Sequence, residues 1–90
     1  MPRYLVQRTF ADGLVIPPTR QGAACCLEVV ANNAAEGVTW GHSYVTVHGS
    51  VTYCILEGPS PSAVRRAASV NRLPVDRITE VRVLDPYFHH

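Results

Sequence analysis

Lysine is absent from this chain, and all eight of its basic residues are arginine. Against seven acidic residues they leave a formal charge of only +1, so no electrostatic surplus recommends nucleic acid or an anionic membrane as a partner. Long apolar runs are missing too: nothing approaches the roughly 20 residues of a membrane-spanning helix. The opening Met-Pro-Arg-Tyr-Leu-Val-Gln-Arg alternates like a strand and lacks the apolar block of an export signal. A cytoplasmic protein that binds neither nucleic acid nor membrane is therefore expected. Cysteine is limited to Cys25, Cys26 and Cys54. An odd number with two adjacent makes no disulfide framework, and no C-x-x-C pair points to zinc or redox work. All three read as small buried hydrophobes.

Catalytic signatures are also lacking. There is no G-x-S-x-G elbow, and no cysteine has an obvious histidine partner. Neither Ala11-Asp12-Gly13 nor Glu57-Gly58-Pro59 makes a glycine-rich phosphate loop followed by lysine. Val51-Thr52-Tyr53-Cys54-Ile55-Leu56 lacks the basic residue, glycine and aromatics of an RNA-reading strand.

What is present is a pattern of elements. Ninety residues, 47% apolar, support one hydrophobic core, so a single domain over residues 1–90 is expected. Tyr4 to Phe10 reads as a strand ending at the turn signal Asp12-Gly13, and Pro17-Pro18 falls in the loop that follows. Thr19 is a candidate N-cap for a helix to about Glu36, closed by Gly37 at its C′ position. Ala23, Cys26, Leu27, Val30, Ala31 and Ala34 form that helix's apolar stripe. Val38 to His48 and Val51 to Glu57 read as strands joined by a two-residue turn at Gly49-Ser50. Ser60-Pro61 opens a second helix, a capping side chain followed by a ring that needs no N–H there, and the helix runs to about Val70. Asp76 to Leu84 is the last strand. The order β-α-β-β-α-β predicts an α+β, ferredoxin-like fold: a four-stranded antiparallel sheet with two helices on one face.

Alternation divides each strand between two faces. A tight turn at Gly49-Ser50 sets Val45 opposite Cys54, Ser43 opposite Leu56 and His42 opposite Glu57. Val45, Val47, Ser43, Thr52, Cys54 and Leu56 then line the helix-covered face, joined by Leu5, Val81 and Val83. The other face receives Trp40, His42, Tyr44, Tyr53, Ile55 and Glu57. Tyr4, Val6 and Arg8 of the first strand, with Glu80 and Arg82 of the last, share that second face. Left bare it would be a large apolar patch, which a second subunit would cover, so a homodimer is expected.

The stretches PRYLVQRTF (2–10), EGVTWGHSYVT (36–46) and LPVDRITEVRVLDPYF (73–88) resemble a family of small uncharacterised bacterial ferredoxin-like domains, one member of which is a dimeric nickel-binding protein. Its Trp-x-His-Ser-Tyr motif corresponds to Trp40, His42, Ser43 and Tyr44. The sequence departs from the family pattern at Gly41, where a larger aliphatic residue is expected, and at His48-Gly49-Ser50, where charged residues are expected. The resemblance implies a nickel or other divalent-metal role. The candidate ligands are His42, Glu57 and His48, imidazole and carboxylate suiting nickel, zinc or copper alike. Tyr4, Arg8, Trp40, Tyr44, Tyr53 and Glu80 are the candidate pocket or interface residues. The leading reading is a non-enzymatic metal-binding homodimer. The alternative is a cofactor-free monooxygenase or isomerase with His42 as base and Glu57 orienting it. The terminal His89-His90 offers a competing metal site.

Overall fold

Two strands with strict in-out alternation form the middle of the sheet. The computed structural model describes residues 1–11 and 20–87, and within the first helix it describes side chains from residue 26 onward. The elements are β1 (Arg3–Thr9), α1 (Arg20–Ala35), β2 (Thr39–Val45), β3 (Val51–Glu57), α2 (Pro61–Val70) and β4 (Arg77–Val81). The strands pair antiparallel in the order β2-β3-β1-β4, which is the expected ferredoxin-like arrangement. The turn at Asp12-Gly13, the Pro17-Pro18 loop, the Thr19 cap, inward Ala23, buried Cys25 and the pair His89-His90 lie outside the described residues.

In β3, Thr52, Cys54 and Leu56 are buried, as alternation predicted. Their partners on β1 are Arg8, Val6 and Tyr4, so these three share the helix-covered face. This corrects their expected placement on the open face, and it sends Leu5 to the open face instead. Both alternating sets of β1 contain apolar residues. The set holding Tyr4 and Val6 carries more apolar volume and goes inward, taking Arg8 with it. Arg8 is only 5% exposed, and its Nη1 donates to the Pro74 carbonyl at 2.8 Å. The β4 register corrects a second placement. Val81 pairs with Arg3 and faces outward from the helices, whereas Ile78 and Glu80 pair with Val6 and Tyr4 on the helix side.

Helix α2 lays Ala63, Val64, Ala67 and Ala68 on the core face. Ser60 caps it as expected, its side chain accepting the Ala63 N–H at 3.2 Å, a contact that contributes about 1 kcal/mol. Helix α1 ends in a Schellman motif: the Val38 N–H donates to the Asn33 carbonyl, the Gly37 N–H to Ala34, and Gly37 has φ +71°. The expected apolar stripe of α1 is wrong. Leu27 and Val30 are exposed, as are Ala31 and Ala34, while Cys26 and Val29 are half-buried and Asn33 is buried. The reason is polar: Asn71, at the end of α2, donates to Asn33 Oδ1 at 2.9 Å and accepts from Asn32 Nδ2 at 2.8 Å. Those bonds turn the asparagine edge of α1 inward.

Candidate functional site on the open sheet face

The β2–β3 connection decides what the open face presents. Its hairpin is wider than a two-residue turn: the Gly49 N–H donates to the Thr46 carbonyl at 2.8 Å, and the Thr46 N–H to Val51 at 3.0 Å. Val45 therefore stands opposite Thr52, Ser43 opposite Cys54, and His42 opposite Ile55. The expected pairs Val45–Cys54, Ser43–Leu56 and His42–Glu57 are corrected by a slip of two positions, and an even slip leaves each side chain on its predicted face.

A second irregularity does change faces. Gly41 is an extra residue between the pairs Trp40–Leu56 and His42–Ile55, a β-bulge. It moves Trp40 to the helix side, where the ring packs against the core and its Nε1–H donates to Ser43 Oγ at 2.9 Å. Trp40 was expected on the open face; the bulge overturns that. A Cβ at position 41 would sit 3.3 Å from the Ile55 carbonyl oxygen, so a side chain there would press on the backbone of β3.

The open face thus carries Arg3, Leu5, His42, Tyr44, Tyr53, Ile55, Glu57 and Val81. His42 meets Tyr44 edge to face, ring centroids 5.2 Å apart. Tyr44 is opposite Tyr53 and is 63% exposed. Of the other expected pocket residues, Tyr4, Arg8, Trp40 and Glu80 are on the helix side of the sheet, as the registers above require. His48 is an exposed residue of the hairpin connection, beyond the end of β2 and away from His42 in the middle of that strand.

Glu57 is the electrostatic centre. It stands directly opposite Arg3, whose Nη2 and Nε donate to Glu57 Oε1 at 2.7 and 3.2 Å. That hydrogen bonding, then the guanidinium charge, hold the Glu57 carboxyl below its ordinary range. With the folded-state pKa lowered, the stabilisation is present above the unfolded carboxylate pKa and is lost as pH falls through the folded one. Arg3→Gln is therefore expected to lower the thermal midpoint at neutral pH, with the difference from the parent beginning to shrink as the medium is acidified through about pH 4 and vanishing only below the lowered pKa of Glu57. A constant difference across that range would mean the pair does not link stability to protons.

His42 and Glu57 share the face as diagonal neighbours, a relation that places Cα atoms roughly 7–8 Å apart. The hydrogen bonds of Glu57 run to Arg3 and none runs to His42, so the orienting carboxylate of the enzymatic alternative is already engaged. Among the described residues, no three of His, Cys, Asp and Glu gather as a metal-ligand set. Within a single chain His42, Glu57 and His48 are therefore not gathered into one ligand set.

Around these residues lies a half-open cavity of about 650 Å³, with Leu5, Ile55, Val81 and Val83 as its apolar lining and Arg3, His42, Glu57 and Arg82 among its polar groups. Sequence reasoning left Arg3 out. The signal was available, since the split β-α-β order makes β1 and β3 neighbours and an Arg opposite a Glu is a cross-strand pair.

Comparison with known proteins agrees with the fold. A family model described as "Nickel responsive protein SCO4226-like" matches residues 4–81. The crystal structure of SCO4226 from Streptomyces coelicolor A3(2) superposes with a TM-score of 0.73, over 92% of this chain and 99% of that one, at 22% identity. That likeness concerns the fold. No curated protein matches the sequence. No described helix is long and apolar enough to cross a membrane.

Proposed function

This chain belongs to the family of SCO4226-like nickel responsive proteins, and from that premise we propose that it works in the cytoplasm as a homodimer that binds nickel or another divalent metal where two open sheet faces meet. The observation that carries the reading is the face itself. Apolar and aromatic side chains, Leu5, Tyr44, Tyr53, Ile55 and Val81, lie on the side of the sheet away from the helices, with the imidazole and carboxylate of His42 and Glu57 among them. Divalent ions of this kind take four to six donors. A two-fold axis doubles whatever one subunit offers, and one subunit alone falls short. Arg3 competes for Glu57, so His42 is the donor on which the reading depends most.

The test uses protein lacking His89 and His90. At micromolar concentration it is expected to sediment as a dimer and to retain nickel after dialysis. His42→Ala is expected to weaken nickel binding by more than about tenfold while leaving the sedimentation unchanged. A monomer in sedimentation would remove the dimer, and nickel retention that depends on His89-His90 but not on His42 would remove the sheet-face site.

A further inference from the structure

The cavity contains more than metal chemistry would use. Its volume, about 650 Å³, suits a small organic molecule rather than a bare ion. Its lining is divided. Leu5, Ile55, Val81 and Val83 supply a hydrocarbon surface, whereas Arg3, Arg82 and Glu57 supply two positive charges and one negative. The negative charge is already spoken for, because Glu57 holds Arg3 at 2.7 Å. Arg82 has no ion-pair partner among the described residues. Arg82, just past the end of β4, thus brings a charge with no ion-pair partner among the described residues to the lining of an apolar surface.

We propose that this cavity binds an apolar monocarboxylate, with the carboxylate on Arg82 and the hydrocarbon part on the aliphatic lining. A guanidinium is a planar fork of N–H donors that matches a carboxylate in shape and charge. A ligand of higher negative charge fits less well, since Arg3 is already paired with Glu57 and the Glu57 carboxylate would repel a second anionic group. A cation would meet the net positive charge of the lining. Closure by a second subunit would strengthen the case, because covering Arg82 without a counter-ion is costly and a bound carboxylate removes that cost. Only this closure rests on the dimer proposed above; the cavity and its charge belong to one chain.

The experiment titrates metal-free protein lacking His89 and His90 with phenylbutyrate and with phenylbutyramide, which has the same hydrocarbon and no charge. Amide NMR shifts give the affinities. The carboxylate is expected to bind at least about tenfold more tightly than the amide, with the largest shifts at Leu5, Ile55 and Val81. Arg82→Gln should remove that preference, and Arg65→Gln on the exposed side of α2 should keep it. Equal binding of the two probes, binding of neither, or a preference that survives Arg82→Gln would each overturn the proposal. Sedimentation of the same samples separates the two readings. A monomer that binds phenylbutyrate through Arg82 keeps this site and discards the dimer, whereas a dimer that binds neither probe discards this site alone.

Discussion

Tyr4→Ala is expected to destabilise the chain by about 3–5 kcal/mol, as removal of a buried aromatic ring does. Tyr4 is 2% exposed and belongs to the core cluster with Val6, Leu56, Ala63 and Val64. A chain of this length holds roughly 5–13 kcal/mol in total, so the loss is a large share of it. The thermal midpoint should drop by on the order of 20 °C. Tyr44→Ala makes the contrast. Its ring is 63% exposed in the single chain, so the folded subunit should lose little, and any large effect should be concentration-dependent and appear in subunit association. If Tyr4→Ala instead left folding intact and split a dimer, β1 would have to be turned over relative to the sheet.

That contrast marks where the sequence was readable and where it was not. The element order, the second helix with its Ser60 cap, and the Gly37 terminus were legible because each rests on local chemistry: a side-chain oxygen at an N-cap, a ring at the first helical position, a residue with positive φ. The faces of β3 were legible for a different reason. Its hairpin was misjudged by two positions, and an even error preserves parity. In β1 alternation defined two sets without saying which is buried. Arg8 argued against burial for its own set, and the sequence did not reveal that the Pro74 carbonyl would receive its guanidinium. The inward edge of α1 was hidden in the same way, since Asn33 is buried by hydrogen bonds to a residue far along the chain. Of the candidate site, His42, Tyr44, Tyr53, Ile55 and Glu57 reached the open face as alternation requires. The Arg3 partner of Glu57 is hidden because a two-residue turn would set that carboxylate opposite His42, whereas the wider hairpin leaves it opposite Arg3 of β1.

Removing one residue from β2 is the second change with a large expected effect, because it tests what holds Trp40 and His42 on opposite faces. Trp40 pairs with Leu56 and His42 with Ile55, consecutive residues of β3, and Gly41 is the extra residue between them. Deleting Gly41 therefore leaves a regular ladder in which Trp40 still faces the core and His42 still faces away from it. Deleting Thr39 does not. Val38 is buried and Trp40 packs against the core, so both use one face with Thr39 between them. Without Thr39 the two become neighbours, and one of them must turn out of the core. That gives up a branched or an aromatic side chain and costs about 2 kcal/mol or more. Trp40 is the only tryptophan, so a red shift in its emission reports that it is the one to leave. Gly41→Val keeps the residue count and hence the bulge. Its Cβ needs only a few tenths of an ångström from the Ile55 carbonyl, so it should cost less than about 1.5 kcal/mol and leave the emission unchanged. An unchanged midpoint in the Thr39 deletion, or a red-shifted emission in the Gly41 deletion, would show that alternation and the bulge do not set the faces. Nickel retention should persist in the Gly41 deletion, because His42 stays on the open face there. Retention lost on an intact fold would mean that the metal reading depends on the local shape the bulge gives the strand, and not merely on which face the imidazole occupies.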